Sequence, residues 1–334
     1  MNEKQNEKSI FVKFLRVIFN LALLGGIAYF VFSNSYIIKD YFANMNYSPS
    51  SEIATLADDM TLTNNARSVF YATRPSINDA DEFNSNCSSG LEQTAVLGCY
   101  SADKIYIYNV KNTELDGIKE TTAAHELLHA VWSRMSSSEQ EDLKKQLNEE
   151  YEKIKTPELE SLMAQYEISE PGEHENELHS ILGTEFSGLS ENLEKYYSKI
   201  FENRQKIVSY YENYNGKFEE LEQRSAEIST QMQALKAEID QESEEYQREL
   251  VSLNQNISSF NQNAKNGYYT NESDFYADRE ALQVRIENIN QQYSLINNKI
   301  DSYNSLLTEL QQISVKTDEL NKSINSNLTT PAEL

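Results

Sequence analysis

Positive charge is scarce in this chain. Lysine and arginine number 29 against 53 aspartates and glutamates, and the formal net charge is -24. Phosphate binding requires clustered cations, so this balance argues against a nucleic-acid partner and suits a soluble extracytoplasmic region. Cysteine is nearly absent. The two present, Cys87 and Cys99, bracket the segment CSSGLEQTAVLGC. They have no CxxC spacing and no histidine nearby, which argues against a cysteine zinc site. A disulfide between them is expected in an oxidising compartment. Histidine is rare as well, with 4 in 334 residues.

What is there is uneven along the chain. Residues 10–33 form a long apolar run, IFVKFLRVIFNLALLGGIAYFVFS. Its length predicts a transmembrane helix over 10–33. Lys4, Lys8, Lys13 and Arg16 lie at its N-terminal side, while Lys39 and Asp40 cancel after it. The positive-inside rule then places residues 1–9 in the cytoplasm and the C-terminal region outside, as a single-pass protein of the cell membrane. A cleaved signal peptide is the rival reading, with Ser33-Asn34-Ser35 as a weak cleavage site.

The middle, residues 50–200, reads as a globular domain. Two short helices are expected around Ile53–Met60 and Asn64–Thr73, the second ended by Pro75. Thr94–Tyr100 and Lys104–Asn109 then read as a hairpin, and KIYIYN alternates as a strand does. A helix is expected from Ile118 to Met135. Ser136 and Glu139 have capping-box spacing, so another helix starts there and runs toward Lys153. Pro157 and Pro171-Gly172 mark further breaks.

The expected helix 118–135 carries His125-Glu126-Leu127-Leu128-His129, an HExxH pattern. Residues i and i+4 share a helix face, so both imidazoles can reach one metal ion. Glu126 lies beside that face and can take a proton from a zinc-bound water. Ala123, Ala124, Leu127, Leu128, Ala130, Val131 and Trp132 make the helix otherwise apolar. Uncoordinated histidines in such a buried helix would need other partners.

With these residues the chain resembles the zincin superfamily of metallopeptidases. The resemblance covers roughly 50–200. It implies an α+β domain whose edge strand binds an extended peptide beside the HExxH helix, a role that falls to Lys104–Asn109. The sequence after His129, AVWSRM, lacks the glycine and third histidine of the metzincin subgroup. A downstream glutamate is the gluzincin solution. Asn176-Glu177-Leu178-His179-Ser180 is similar to the NExxS segment of thermolysin-like enzymes, which implies Glu177 as third zinc ligand. Glu173, Glu175 and Glu185 are alternatives, and His174 or His179 can also coordinate. Those relatives carry an aspartate four residues after the ligand, aimed at the first histidine. Here that position is Ile181. Candidates for stabilising an oxyanion are His179, Tyr196 and Tyr197.

From Ile207 on, apolar residues fall at heptad spacing, as in Ile207, Tyr211, Tyr214, Phe218 and Leu221. A second run includes Leu282, Ile286, Ile289, Tyr293 and Ile296. The two runs predict an antiparallel coiled-coil hairpin over 201–325, with arms of roughly 75 Å. It is a surface for a protein partner. Residues 326–334 are expected to form a disordered tail.

The sequence therefore predicts a membrane-anchored, gluzincin-like zinc peptidase acting on peptide or protein substrates. Glu126 is its general base, and His125, His129 and Glu177 are its metal ligands. The alternative is a non-enzymatic scaffold or adhesion protein that uses the coiled-coil arm, with a structural or inactive zinc site.

Overall fold

The computed structural model describes residues 23–26, 31, 35–87 and 96–327. The chain divides into two compact units. One comprises residues 1–215 with 322–334, and the other residues 216–321.

The first unit is built mainly from helices with well-marked starts. Helix α1 spans Ser35–Met45, α2 Ser51–Asp59 and α3 Asn64–Ala72. Ser50 and Thr63 cap the second and third, each accepting a backbone N–H three residues on. A short strand β1 (Ser76–Asn78) and helix α4 (Ala80–Asn86) follow. Strands β2 (Gly98–Ser101) and β3 (Lys104–Tyr108) form the expected hairpin, with Ala102 and Asp103 both at positive φ in its turn. Strand β1 adds to β3 in parallel, so the sheet order is β1-β3-β2.

Helix α5 (Ile118–Trp132) lies against this sheet and carries the HExxH residues. Helix α6 (Ser137–Ile154) begins with the complete capping box of Ser136 and Glu139. The expected break at Pro157 falls at Lys155 and Thr156, between two helices. Pro157 is the first residue of α7 (Pro157–Ser169), where a missing N–H costs nothing. Helix α8 (His174–Glu185) packs across α5, and α9 (Glu191–Tyr197) completes this side. The core between them includes Phe70, Ile105, Ile107, Leu127, Leu128, Leu182 and Tyr197.

Helices α10 (Arg204–Lys265) and α11 (Glu272–Ile324) supply the second unit. Within it, Arg224 pairs with Glu309, Lys299 with Glu238 and Glu242, and Arg285 with Glu249. Numbers rise on one helix as they fall on the other, so the pair is antiparallel. Ile228, Leu253, Ile289 and Ile296 are buried.

Two expectations are corrected. The α+β zincin-like domain does not form: the one sheet among the described residues has three strands of three, four and five residues. The strand-like alternation stops at Tyr108, and beyond it apolar residues recur at helical spacing. Lys104–Tyr108 is also the central strand, and the edge beside α5 is β2.

The second correction concerns the transmembrane helix over 10–33 and the single-pass membrane location built on it. No helix among the described residues is long and apolar enough to cross a membrane. Of the expected span, residues 10–22, 27–30, 32 and 33 lie outside the described residues. The helix that follows, α1, has 11 residues and carries the charged pair Lys39 and Asp40. Residues 328–334 of the expected tail, and residues 94 and 95 of the expected first strand, also lie outside the described residues.

Candidate metal centre

Two close helix approaches build the site. Gly183 of α8 faces Leu128 of α5, and a Cβ at Gly183 would stand 2.4 Å from Leu128 Cδ1. Only glycine lets α8 come this near, and its first turns then reach the histidine face of α5. Gly98 of β2 does the same from the other side. A Cβ there would stand 2.8 Å from Glu126 Oε1 and 2.6 Å from Thr122 Cγ2. The edge strand therefore runs directly over the glutamate of HExxH.

His125, His129 and Glu177 come together, with one ligand atom from each lying within 4.8 Å of the others. Glu177 Oε2 is 3.5 Å from His125 Nε2, and Glu177 Oε1 is 3.4 Å from His129 Nε2. Glu177 is only 3% exposed, and its Oε2 has no hydrogen-bond partner. A buried carboxylate oxygen without a donor is costly unless something positive reaches it. Two imidazoles and a carboxylate converging in this way could hold a metal ion.

The electrostatics fit such a donor set. Burial pulls the His125 imidazole down, but the nearby Glu177 carboxylate outweighs that and holds it above the usual value. Burial pushes the Glu177 carboxyl up, and the two histidines overcome this to hold it below the usual range.

The other face of His129 is also fixed. Its Nδ1 lies 3.1 Å from Asn176 Oδ1 and 3.3 Å from Ser180 Oγ. Asn176 in turn donates to Glu173 Oε2 at 2.9 Å. An Nδ1–H donated to Asn176 leaves the Nε2 lone pair aimed at Glu177. Ile181, where an orienting aspartate was sought, is a core residue at 1% exposure.

The remaining candidates scatter. Glu173 stands just before α8, and Glu175 pairs with Lys144 at 3.6 Å. Glu185 ends α8 and lines the cleft, outside the three-residue group. His174 approaches Glu167 at 4.0 Å. His179 is fully buried, stacked on Tyr197 and hydrogen-bonded to Tyr196 at 2.9 Å. Neither His179 nor the two tyrosines line the cleft, so they pack the core beneath α5.

Arg204 was not singled out in the sequence. It is 5% exposed and donates to the carbonyls of Leu182, Gly183 and Phe186, closing the C-terminal end of α8. Glu194 binds the same guanidinium. Arginine near a helix C-terminus is a usable signal, because that end presents orphan carbonyls.

The three side chains open on a cleft of about 850 Å³. Gly98, Tyr100 and Ser101 of the edge strand form one wall, with Glu126 and Trp132 at the floor. Cys87 and Cys99, joined as a disulfide, tie that strand to the end of α4. Comparison with protein-family models, curated proteins and solved structures finds no match to the chain.

Proposed function

We propose that the chain is a zinc-dependent peptidase, with His125, His129 and Glu177 as metal ligands and Glu126 as general base. The observation that carries this reading is the convergence of the three donors beside buried Glu126 in one open cleft. The choice of zinc draws support from the donor set, since two imidazoles and a carboxylate beside a place for water are the ligands of catalytic zinc sites.

Zinc held there supplies a Lewis acid for the scissile carbonyl and makes water more acidic. The rest falls to the chain. The edge strand β2 pairs with β3 on one side, and among the described residues no strand pairs with its other side. An extended peptide can add to that side as a further strand, which sets its carbonyl over the α5 helix. Glu126 takes the proton of the attacking water as the water oxygen bonds to the carbonyl carbon. It then delivers that proton to the amide nitrogen as the C–N bond breaks. Asn176 holds His129 in the tautomer that keeps Nε2 free to ligate.

The test uses the full chain and a mixed peptide library. Wild type is expected to bind one zinc and cleave. Glu126→Gln keeps zinc and fold but loses at least ~10² to 10⁴ in rate, the usual share of a general base. Equal rates in both would remove Glu126 from the mechanism. Zinc bound without any cleavage would hand the function to the scaffold reading of the helix pair.

A further inference from the structure

Helix α11 carries two apolar lines at heptad spacing, and its pairing with α10 covers one of them. The inner line is Leu282, Ile289, Ile296, Tyr303 and Leu310. Ile289 and Ile296 are buried, and the other three are half-buried. Arg285 and Lys299, which pair with glutamates of α10, border the same side. The outer line is Ile286, Tyr293, Ile300 and Leu307, again seven residues apart. These are 39%, 55%, 38% and 38% exposed. Isolated exposed apolar residues are ordinary on a protein surface. Val284 and Leu295 are of that kind, each alone at its heptad position. A line that repeats every seven residues is instead half of a coiled-coil seam.

The border of the outer line says what fits it. Gln283, Asn290, Asn297, Asn304 and Gln311 run beside it at the same spacing, on the side away from α10, and all but the central Asn297 are exposed. An amide both donates and accepts, so a row of amides complements a copy of itself. The chain's net charge of -24 keeps copies apart elsewhere, but this border carries none. Beyond the amides the next heptad position reads Glu287, Ser294, Asp301 and Thr308. Two copies set parallel and in register would oppose Glu287 to Glu287 and Asp301 to Asp301. Set antiparallel about Asn297, they oppose Glu287 to Thr308 and Asp301 to Ser294. The same axis brings Ile286 to Leu307, Tyr293 to Ile300, Gln283 to Gln311 and Asn290 to Asn304. Apolar, amide and acidic positions are thus all matched by one twofold operation.

We propose that this face of α11 is the interface with a second copy of the chain, packed antiparallel about a twofold axis beside Asn297. The interface involves the helix pair alone and does not depend on the peptidase reading. Lipid tails on the same face would leave the amides unbonded, a cost that a second amide row removes.

The test uses the full chain. Its own cysteines are joined as a disulfide, so an introduced cysteine is the one free thiol. Gln283→Cys, Asn297→Cys and Gln311→Cys are each treated with a short bis-maleimide. Asn297→Cys is expected to link to itself. Gln283→Cys should link to Gln311→Cys when the two are mixed, and neither to itself. Sedimentation should show a dimer whose affinity falls at least ~10-fold with Tyr293→Glu and Ile300→Glu together, because like charges then face each other across the seam. Asn297→Asp sets two carboxylates together at the axis and should weaken the dimer by ~3- to 10-fold. A chain still monomeric at ~100 µM would overturn the interface, as would a dimer indifferent to the paired glutamates. Gln283→Cys linking to itself and not to Gln311→Cys would mean parallel copies and overturn the proposed pairing. If the double glutamate variant loses helix content, Asn297→Asp and the linking pattern decide, since the amide row lies away from α10.

Discussion

The two units handle charge in opposite ways. The first buries it. Glu126, His129, Glu150, Glu177 and Arg204 are all less than a tenth exposed. Their partners are specific: Asn176 for His129, the Ser190 N–H and Lys153 for Glu150, three carbonyls for Arg204. The second unit keeps its charged pairs near solvent. Arg224 and Glu309 are each 40% exposed, and Lys299 is 27% exposed beside Glu238 and Glu242. A charge inside the first unit therefore has one position open to it, which is what chemistry requires. In the second, charges set only which residues of two long helices lie opposite each other.

Substitutions at three positions sharpen this contrast. Arg204→Leu removes the donors that close α8, leaving buried carbonyls unsatisfied. It should cost about 3 kcal/mol, the scale for breaking a buried charged network. Trp132, the one tryptophan, lies in the first unit and reports its unfolding in denaturant by fluorescence. An unchanged midpoint would mean that water replaces the guanidinium. Asn176→Ala leaves His125, His129 and Glu177 in place but removes the nearer of the two partners of His129 Nδ1, leaving Ser180. Zinc affinity, measured by competition with a chelating dye, should fall roughly 10- to 100-fold, as for other outer partners of metal ligands. Asn176→Asp still accepts the Nδ1 proton and should retain most of that affinity. Arg224→Ala is the smallest change. Its pairs with Glu309 and Glu227 are solvated, so the thermal midpoint of the helix pair should not move measurably. A clear drop there would erase the distinction between the units.

Local rules made much of this legible. The HExxH spacing, the capping box at Ser136 and the alternation of KIYIY each act over a few residues, and each formed where expected. Asn176-Glu177 was found through a resemblance, and Glu177 does stand against both histidines. Features that depend on distant partners were not legible. Strand β1 is three residues long and exists only because β3 accepts it. Gly98 and Gly183 gave no sign of which side chain would fill the space they leave. His179, Tyr196 and Tyr197 were candidates for site chemistry, with helix packing the favoured reading of the two tyrosines. All three belong to the packing beneath the motif, since an imidazole with a tyrosine hydroxyl partner can be buried neutral. The expected zincin-like domain rested on the HExxH motif, the segment Asn176–Ser180 and one hairpin, and short elements of this kind are compatible with many layered folds.

The first unit is not continuous in the sequence. Residues 322–327 rejoin it after the whole helix pair, and Ser326 there is buried and exchanges two hydrogen bonds with Asn84. Asn84 lies on α4, three residues before the disulfide that fixes the edge strand. During synthesis, then, the cleft's framework waits for its last piece while residues 216–321 are made. At ~5–20 residues per second that interval is roughly 5–20 s. A chain stopped anywhere within the helix pair would carry His125, Glu126, His129 and Glu177, and still lack the hydrogen bonds that Ser326 makes to Asn84 of α4.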